Sequence, residues 1–171
     1  MAELIPVISE NEIKNRTKEI GLKISEDYKD RKLVLLGVLK GSFVFLSDLS
    51  RAIPMDHEID FVAASSYEGT FSTGTVSITK DITIDIENKD VLLVEDIVDT
   101  GNTIYKLIDY LQSYNPCSIK ICSLIDKHER REVDIKVKYS GFFLEKGFIV
   151  GYGLDYNEQY RNLSAIYDLK L

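Results

Sequence analysis

Three carboxylates, Glu95, Asp96 and Asp99, run directly into Thr100-Gly101-Asn102-Thr103. The two halves of this stretch invite opposite partners. Adjacent carboxylates hold a hard cation or accept hydrogen bonds from hydroxyl groups. A glycine between hydroxyl side chains at the start of a helix offers N–H and O–H donors, and a positive dipole end, to an anion. Gly101 also permits a backbone angle that a Cβ would obstruct.

A sugar phosphate answers both demands. In ribose 5-phosphate, the phosphate would fill the cradle at Thr100, Gly101, Asn102 and Thr103. Its 2- and 3-hydroxyls would donate to Glu95 and Asp96. A Mg²⁺ on those hydroxyls would offset the repulsion between the acids and bridge to further phosphates. Asp99 would then lie near the anomeric carbon. A lone Asp-Thr-Gly is more often a simple helix cap; an apolar run, Val91 to Val94, followed by the whole string is far more specific. The Walker A pattern is absent, and Gly151 and Gly153 lack the third glycine of the dinucleotide fingerprint.

The elements that must position these residues follow from periodicity. Ser9 and Glu12 form a capping box, and Ile13, Thr17, Ile20 and Ile24 recur at helical spacing, so a first helix ends near Asp27. Leu33 to Leu39 is a continuous apolar run, as expected of a strand buried on both faces. Phe43, Leu46, Leu49 and Ile53 predict a helix stopped by Pro54. Strands are expected at Ile59 to Ala64, Val91 to Val94, Ser118 to Ile125, Tyr139 to Leu144 and Phe148 to Tyr152. Ile104, Leu107, Ile108 and Leu111 mark one helix face after Thr100, which Asn115-Pro116 ends. The segment from Ser65 to Thr79 is rich in Ser, Thr and Gly; it is expected to pair partly as a hairpin and otherwise to form a long loop. Alternating strands and helices, with consecutive apolar positions in the strands, imply an α/β fold with a mainly parallel sheet covered on both faces. Ligands bind such sheets at the carboxyl ends of the strands. Three loops qualify: Lys40-Gly41, Glu95 to Thr103, and Asp126-Lys127.

Composition narrows the function. The 171 residues suit one domain, 1–171, and 44% hydrophobic with 29% charged residues is a globular balance. A formal net charge of −7 counts against non-specific binding of nucleic acid or anionic membrane. No apolar run is long enough to span a bilayer and no secretory signal is read, so a cytoplasmic protein is expected. Cys117 and Cys122 are the only cysteines, read as reduced packing residues; His57 and His128 are isolated and build no metal site.

The string from Val91 to Ile104 resembles the signature of the type I phosphoribosyltransferases. Leu39-Lys40-Gly41-Ser42, Ser66-Tyr67, Asp126-Lys127 and Phe148-Ile149-Val150-Gly151-Tyr152-Gly153-Leu154-Asp155-Tyr156 with Arg161 resemble the hypoxanthine (6-oxopurine) phosphoribosyltransferases, in order and over nearly the whole chain. The resemblance implies a twisted, mainly parallel sheet flanked by helices, with a small hood built from the chain ends. It implies transfer of ribose 5-phosphate from phosphoribosyl pyrophosphate to hypoxanthine, guanine or xanthine, with Mg²⁺ as cofactor. The products would be IMP or GMP, plus pyrophosphate. It also implies a homodimer or homotetramer.

The same resemblance assigns roles. Glu95 and Asp96 would hold the ribose and its metal, and Asp99 would act as acid/base at purine N7. Residues 100 to 103 would bind the 5-phosphate; Asn102 stands where some relatives have Lys, a change that a backbone cradle tolerates. Lys40, Gly41 and Arg161 would meet the pyrophosphate, with a non-proline cis peptide expected near Lys40. Lys127 would donate to the 6-oxo group, Phe148 would stack on the base, and the Ile149 backbone would read its edge. Asp155 would bind a second metal, or its water shell, near the base. Ser66 and Tyr67 would belong to a closing lid. Two other readings compete: a regulator that senses phosphoribosyl pyrophosphate while binding RNA or DNA, and a transferase acting on a pyrimidine. The acidic charge weighs against the first, and Lys127 with Phe148 against the second.

Overall fold

The computed structural model describes residues 3–66 and 76–170. Twelve elements follow in order: β1 (Glu3–Ile8), α1 (Glu10–Asp27), β2 (Leu33–Leu39), α2 (Phe43–Ala52), β3 (Glu58–Ser66), β4 (Val76–Lys80), β5 (Asp90–Val98), α3 (Asn102–Gln112), β6 (Ser118–Lys127), β7 (Tyr139–Leu144), β8 (Ile149–Val150) and β9 (Ile166–Lys170). The main sheet has the strand order β4-β3-β2-β5-β6-β7. All its pairings are parallel except β3–β4, which forms the expected hairpin between Ala63↔Lys80 and Ser66↔Val76.

Alternation along the strands splits the core in two. Leu33 and Leu35 of β2, with Leu92 and Val94 of β5, pack against α1 and α2 through Ile13, Ile20, Phe45 and Leu49. Val34, Leu36, Val91 and Leu93 face the other way, against Ile104, Leu107 and Leu111 of α3. Both faces are therefore apolar, which is why these strands read as unbroken hydrophobic runs. The capping box of α1 forms as expected: Ser9 N–H donates to Glu12 Oε2 at 2.8 Å, and Glu12 N–H donates to Ser9 Oγ at 3.3 Å.

Chain order reverses between β2 and β5. From β2 the chain moves outward to β3 on one side, and later strands add on the other. Such a switch point opens a crevice at the strand carboxyl ends, and the Lys40-Gly41 and Glu95 to Thr103 loops flank it.

Several strand boundaries differ from expectation; β3 runs two residues further, to Ser66. β5 runs on through Glu95 and Asp96 to Val98, because β6 keeps pairing with it as far as Val98↔Asp126. Ladder hydrogen bonds are indifferent to side-chain polarity, so the acids do not end the strand. β6 likewise extends through Lys127. β8 is only Ile149–Val150, since Gly151, Tyr152 and Gly153 all take positive φ (101°, 51° and 102°) and turn the chain away. β1 and β9 escape periodicity altogether. They pair antiparallel, with an irregularity between Pro6 and Ile8, in a second sheet of order β1-β9-β8. This sheet is the hood expected from the chain ends. No helix among the described residues is long and apolar enough to cross a membrane.

Candidate active site

Gly101 is the N-cap of α3, with φ +85°, and has no side chain of its own to cap the helix. Thr100 takes up part of the capping role, on the Asn102 N–H. The first-turn N–H groups of a helix have no intrahelical acceptor; here the start of α3 borders a cleft of about 130 Å³ lined by Glu95, Ile97, Val98, Asp99, Thr100, Gly101, Thr103 and Ile104. Thr100 Oγ1 accepts from Asn102 N–H at 3.3 Å and so sits inside the cradle. Behind it, a Cβ on Gly101 would press on Val133 and Ile135 at 2.8 Å. The positive φ calls for glycine there, and a larger residue would also have to push aside the ends of those two side chains.

Glu95 and Asp96 emerge on opposite sides of β5, as strand alternation dictates. Glu95 lines the cleft beside α3. Asp96 lies beside α2, where a side chain on Gly41 would overlap its carboxylate. Gly41 in turn contacts the hood, because a Cβ on Gly153 would overlap the Gly41 carbonyl. Three distant segments thus meet in the order Asp96, Gly41, Gly153, and the fit depends on two absent side chains. The Leu39-Lys40 peptide is cis.

Glu95 and Asp96 are each about 9% exposed. Burial, then the neighbouring Asp96 charge, pushes the Glu95 carboxyl well above the ordinary range. Burial also raises Asp96, although hydrogen bonds from backbone N–H groups and the Arg161 charge pull against it. No Lys or Arg forms an ion pair with either acid among the described residues. Asp99 also lines the cleft: its Oδ1 is buried without a hydrogen-bond partner among the described residues, while Oδ2 lies 3.4 Å from Arg130 Nε.

Lys127 is 7% exposed, its Nζ 3.2 Å from Glu129. It is buried despite the charged run that follows it. Phe148 is half exposed and packs edge-on against Tyr156, centroids 5.6 Å apart. Ile149 is buried and pairs through its backbone with Asp168. Asp155 accepts from Glu158 N–H at 2.9 Å and pairs with Arg161 at 2.9 Å. Asp155 is thus engaged with its own loop; no cluster of three acid, His or Cys side chains suited to a metal occurs among the described residues. Ser66 ends β3, and Tyr67 lies outside the described residues, as does most of the expected lid.

Two residues absent from the sequence reading organise the site. Arg131 donates from Nε to Asp99 O at 2.9 Å, and from Nη2 to Val98 O at 3.1 Å, Asp126 Oδ1 at 2.6 Å and Lys127 O at 3.1 Å. One guanidinium therefore fastens the end of β5 to the end of β6. It lies in a charged run, His128-Glu129-Arg130-Arg131, that carries no periodic signal. Glu158 pairs with Lys40 at 3.0 Å and Arg161 at 3.1 Å. Only its position between Asp155 and Arg161 hinted at the site.

Residues 9–157 match the model of the phosphoribosyl transferase domain. The chain belongs to the phosphoribosyltransferase family. It is 51% identical over 165 residues to a hypoxanthine-guanine phosphoribosyltransferase of Staphylococcus epidermidis, covering 96% of this chain and 92% of that protein. It is 48% identical over 163 residues to the hypoxanthine phosphoribosyltransferase of Escherichia coli, covering 94% and 92%. The crystal structure of a hypoxanthine-guanine phosphoribosyltransferase from Bacillus anthracis superposes with a TM-score of 0.94 at 44% identity, over 100% of both chains.

Proposed function

We propose that the protein transfers ribose 5-phosphate from phosphoribosyl pyrophosphate to a 6-oxopurine, giving IMP from hypoxanthine and GMP from guanine with release of pyrophosphate, a reaction of purine salvage. The observation that carries this reading is the convergence of the glycine-capped N-terminus of α3, Glu95 and an Asp99 oxygen without a hydrogen-bond partner among the described residues on one cleft.

The N–H groups and hydroxyls of residues 100 to 103 hold the 5-phosphate. That fixes the ribose over the end of β5, with its hydroxyls within reach of Glu95 and Asp96. As the bond from C1 to pyrophosphate breaks, the sugar gains oxocarbenium character. Buried carboxylates then stabilise charge that develops only in the transition state. N9 of the purine attacks C1, and Asp99 takes or holds a proton at N7. Lys127, with donors and no acceptor, favours a 6-oxo group over the 6-amino group of adenine. The exposed face of Phe148 stacks on the base, and the Ile149 backbone reads its edge. Lys40, Gly41 and Arg161 receive the departing pyrophosphate.

Mg²⁺ fits this donor set. Glu95 and Asp96 are adjacent buried oxygen donors without a cationic partner among the described residues, and magnesium commonly binds through one or two carboxylates plus substrate oxygens. When bound, it would supply positive charge that offsets the two acids and the departing pyrophosphate. Asp155 would support a second ion after parting from Arg161.

The test is an assay with phosphoribosyl pyrophosphate, Mg²⁺ and each of hypoxanthine, guanine, xanthine, adenine and uracil. Nucleotide should form from 6-oxopurines and not from adenine or uracil. No product from any 6-oxopurine would overturn the proposal.

A further inference from the structure

Lys40 and Arg161 approach from different parts of the chain, the loop after β2 and the hood, yet both bind the carboxylate of Glu158. Oε1 lies 3.0 Å from Lys40 Nζ, and Oε2 lies 3.1 Å from Arg161 Nη2. One carboxylate thus spans the two cations assigned above to pyrophosphate. We propose that Glu158 is an internal competitor for the pyrophosphate subsite, occupying Lys40 and Arg161 until phosphoribosyl pyrophosphate displaces it and returning as pyrophosphate departs. The inference rests on the proposed function, since it needs those cations to be pyrophosphate ligands.

The surroundings fit a carboxylate held in place but easily displaced. Glu158 sits in a tight turn closed by an antiparallel bridge between Tyr156 and Gln159. Its own φ is +62°, with Asn157 at +52° and Tyr160 at +73°. Asparagine tolerates the left-handed region; glutamate and tyrosine adopt it at a cost and need surrounding contacts to hold them. Those contacts are the Glu158 N–H donating to Asp155 Oδ2 at 2.9 Å and the two cations on its side chain. Both Glu158 and Lys40 are nearly two-thirds exposed, 64% and 68% at the side chain. Exposed pairs are weak, so a ligand carrying several phosphate oxygens and bound metal outcompetes them. Arg161 keeps spare donor capacity, because its Nε is buried with no hydrogen-bond partner. Its Nη1 bond to Gly153 O at 2.8 Å and the Asp155 pair on Nη2 at 2.9 Å hold the guanidinium in place while Glu158 is exchanged for an anion.

The experiment is calorimetric titration of inorganic pyrophosphate with Mg²⁺, and separately of IMP, into the wild-type chain, Glu158→Gln and Glu158→Asn. Asparagine suits the left-handed backbone, so the second variant separates charge from turn geometry. Both variants should bind pyrophosphate about two- to tenfold more tightly, the scale of two exposed ion pairs. IMP affinity should not change, since its phosphate sits in the cradle at residues 100 to 103. Pyrophosphate binding that weakens would show that Glu158 positions the cations rather than competing for them. Unchanged pyrophosphate binding, or equal tightening of IMP from the lost charge alone, would also overturn the proposal. A wild-type chain that binds neither ligand would overturn the proposed function itself, and this inference with it.

Discussion

Asp99 carries the sharpest expectation at the scale of single residues, because one of its oxygens is buried beside the cradle without a hydrogen-bond partner among the described residues. Asp99→Asn keeps the shape and removes the proton acceptor. Turnover should fall ~10²–10⁴-fold, the range of general acid/base catalysis, while affinity for phosphoribosyl pyrophosphate stays nearly constant. Single-turnover rates beside equilibrium binding would show the split, and equal losses in both would refute the role. Glu95 and Asp96 oppose stability to function. Their raised pKa values mean that the fold carries no penalty from them below the ordinary carboxylate range, about pH 4. As pH rises through the higher folded values, charging two buried neighbours costs stability. Glu95→Gln should therefore raise the melting temperature at neutral pH and weaken binding of phosphoribosyl pyrophosphate with Mg²⁺. A lower melting temperature would contradict this electrostatic account.

Elements matter where one side chain ties two together. Arg131 joins the ends of β5 and β6, so it sets the distance between Asp99 and Lys127 without touching either functional group. Arg131→Lys cannot reproduce a planar fork; a misplacement on the scale of 1 Å can cost ~10²-fold. kcat/KM for hypoxanthine should fall by about that factor, with phosphoribosyl pyrophosphate binding less affected. An unchanged kcat/KM would show that the strand ends hold themselves. Asp60 does comparable work beyond β4. Its carboxylate accepts from Thr83 N–H at 2.6 Å and Ile84 N–H at 3.2 Å, and from Phe61 N–H at 2.7 Å, holding the segment before β5 against β3. Burial pushes its pKa up, but these hydrogen bonds outweigh burial and bring it down to about 2. A depressed carboxylate stabilises the fold above the unfolded value of ~3.9, and that contribution disappears as pH falls toward 2. Asp60→Asn should lower the melting temperature at pH 7 and flatten its decline through that acid window. An equally steep decline would assign the acid sensitivity elsewhere.

On the scale of the whole molecule, what was legible in the sequence followed from burial. Strands covered on both faces read as apolar runs, and α1 and α3 announced themselves through Ile13, Ile20, Leu107 and Leu111, all of which are buried. The cradle was legible because glycine between hydroxyls has few other uses. The hood was not readable from periodicity: β1 is mostly exposed and contains Pro6, and β8 is two residues long. Arg131 and Glu158 were hidden for another reason. Their value lies in partners distant in the chain or folded back by a turn, and local pattern cannot encode that. With a net charge of −7, a chain that repels anions overall would need local devices to hold one, and the proposed function assigns that task to backbone amides, a helix end and two cations at a strand switch point. The most direct measurement is a crystal structure with IMP bound. The account predicts the phosphate against the backbone of residues 100 to 103, with the ribose hydroxyls facing Glu95 and Asp96 and the 6-oxo group at Lys127. A phosphate lodged anywhere else would contradict it.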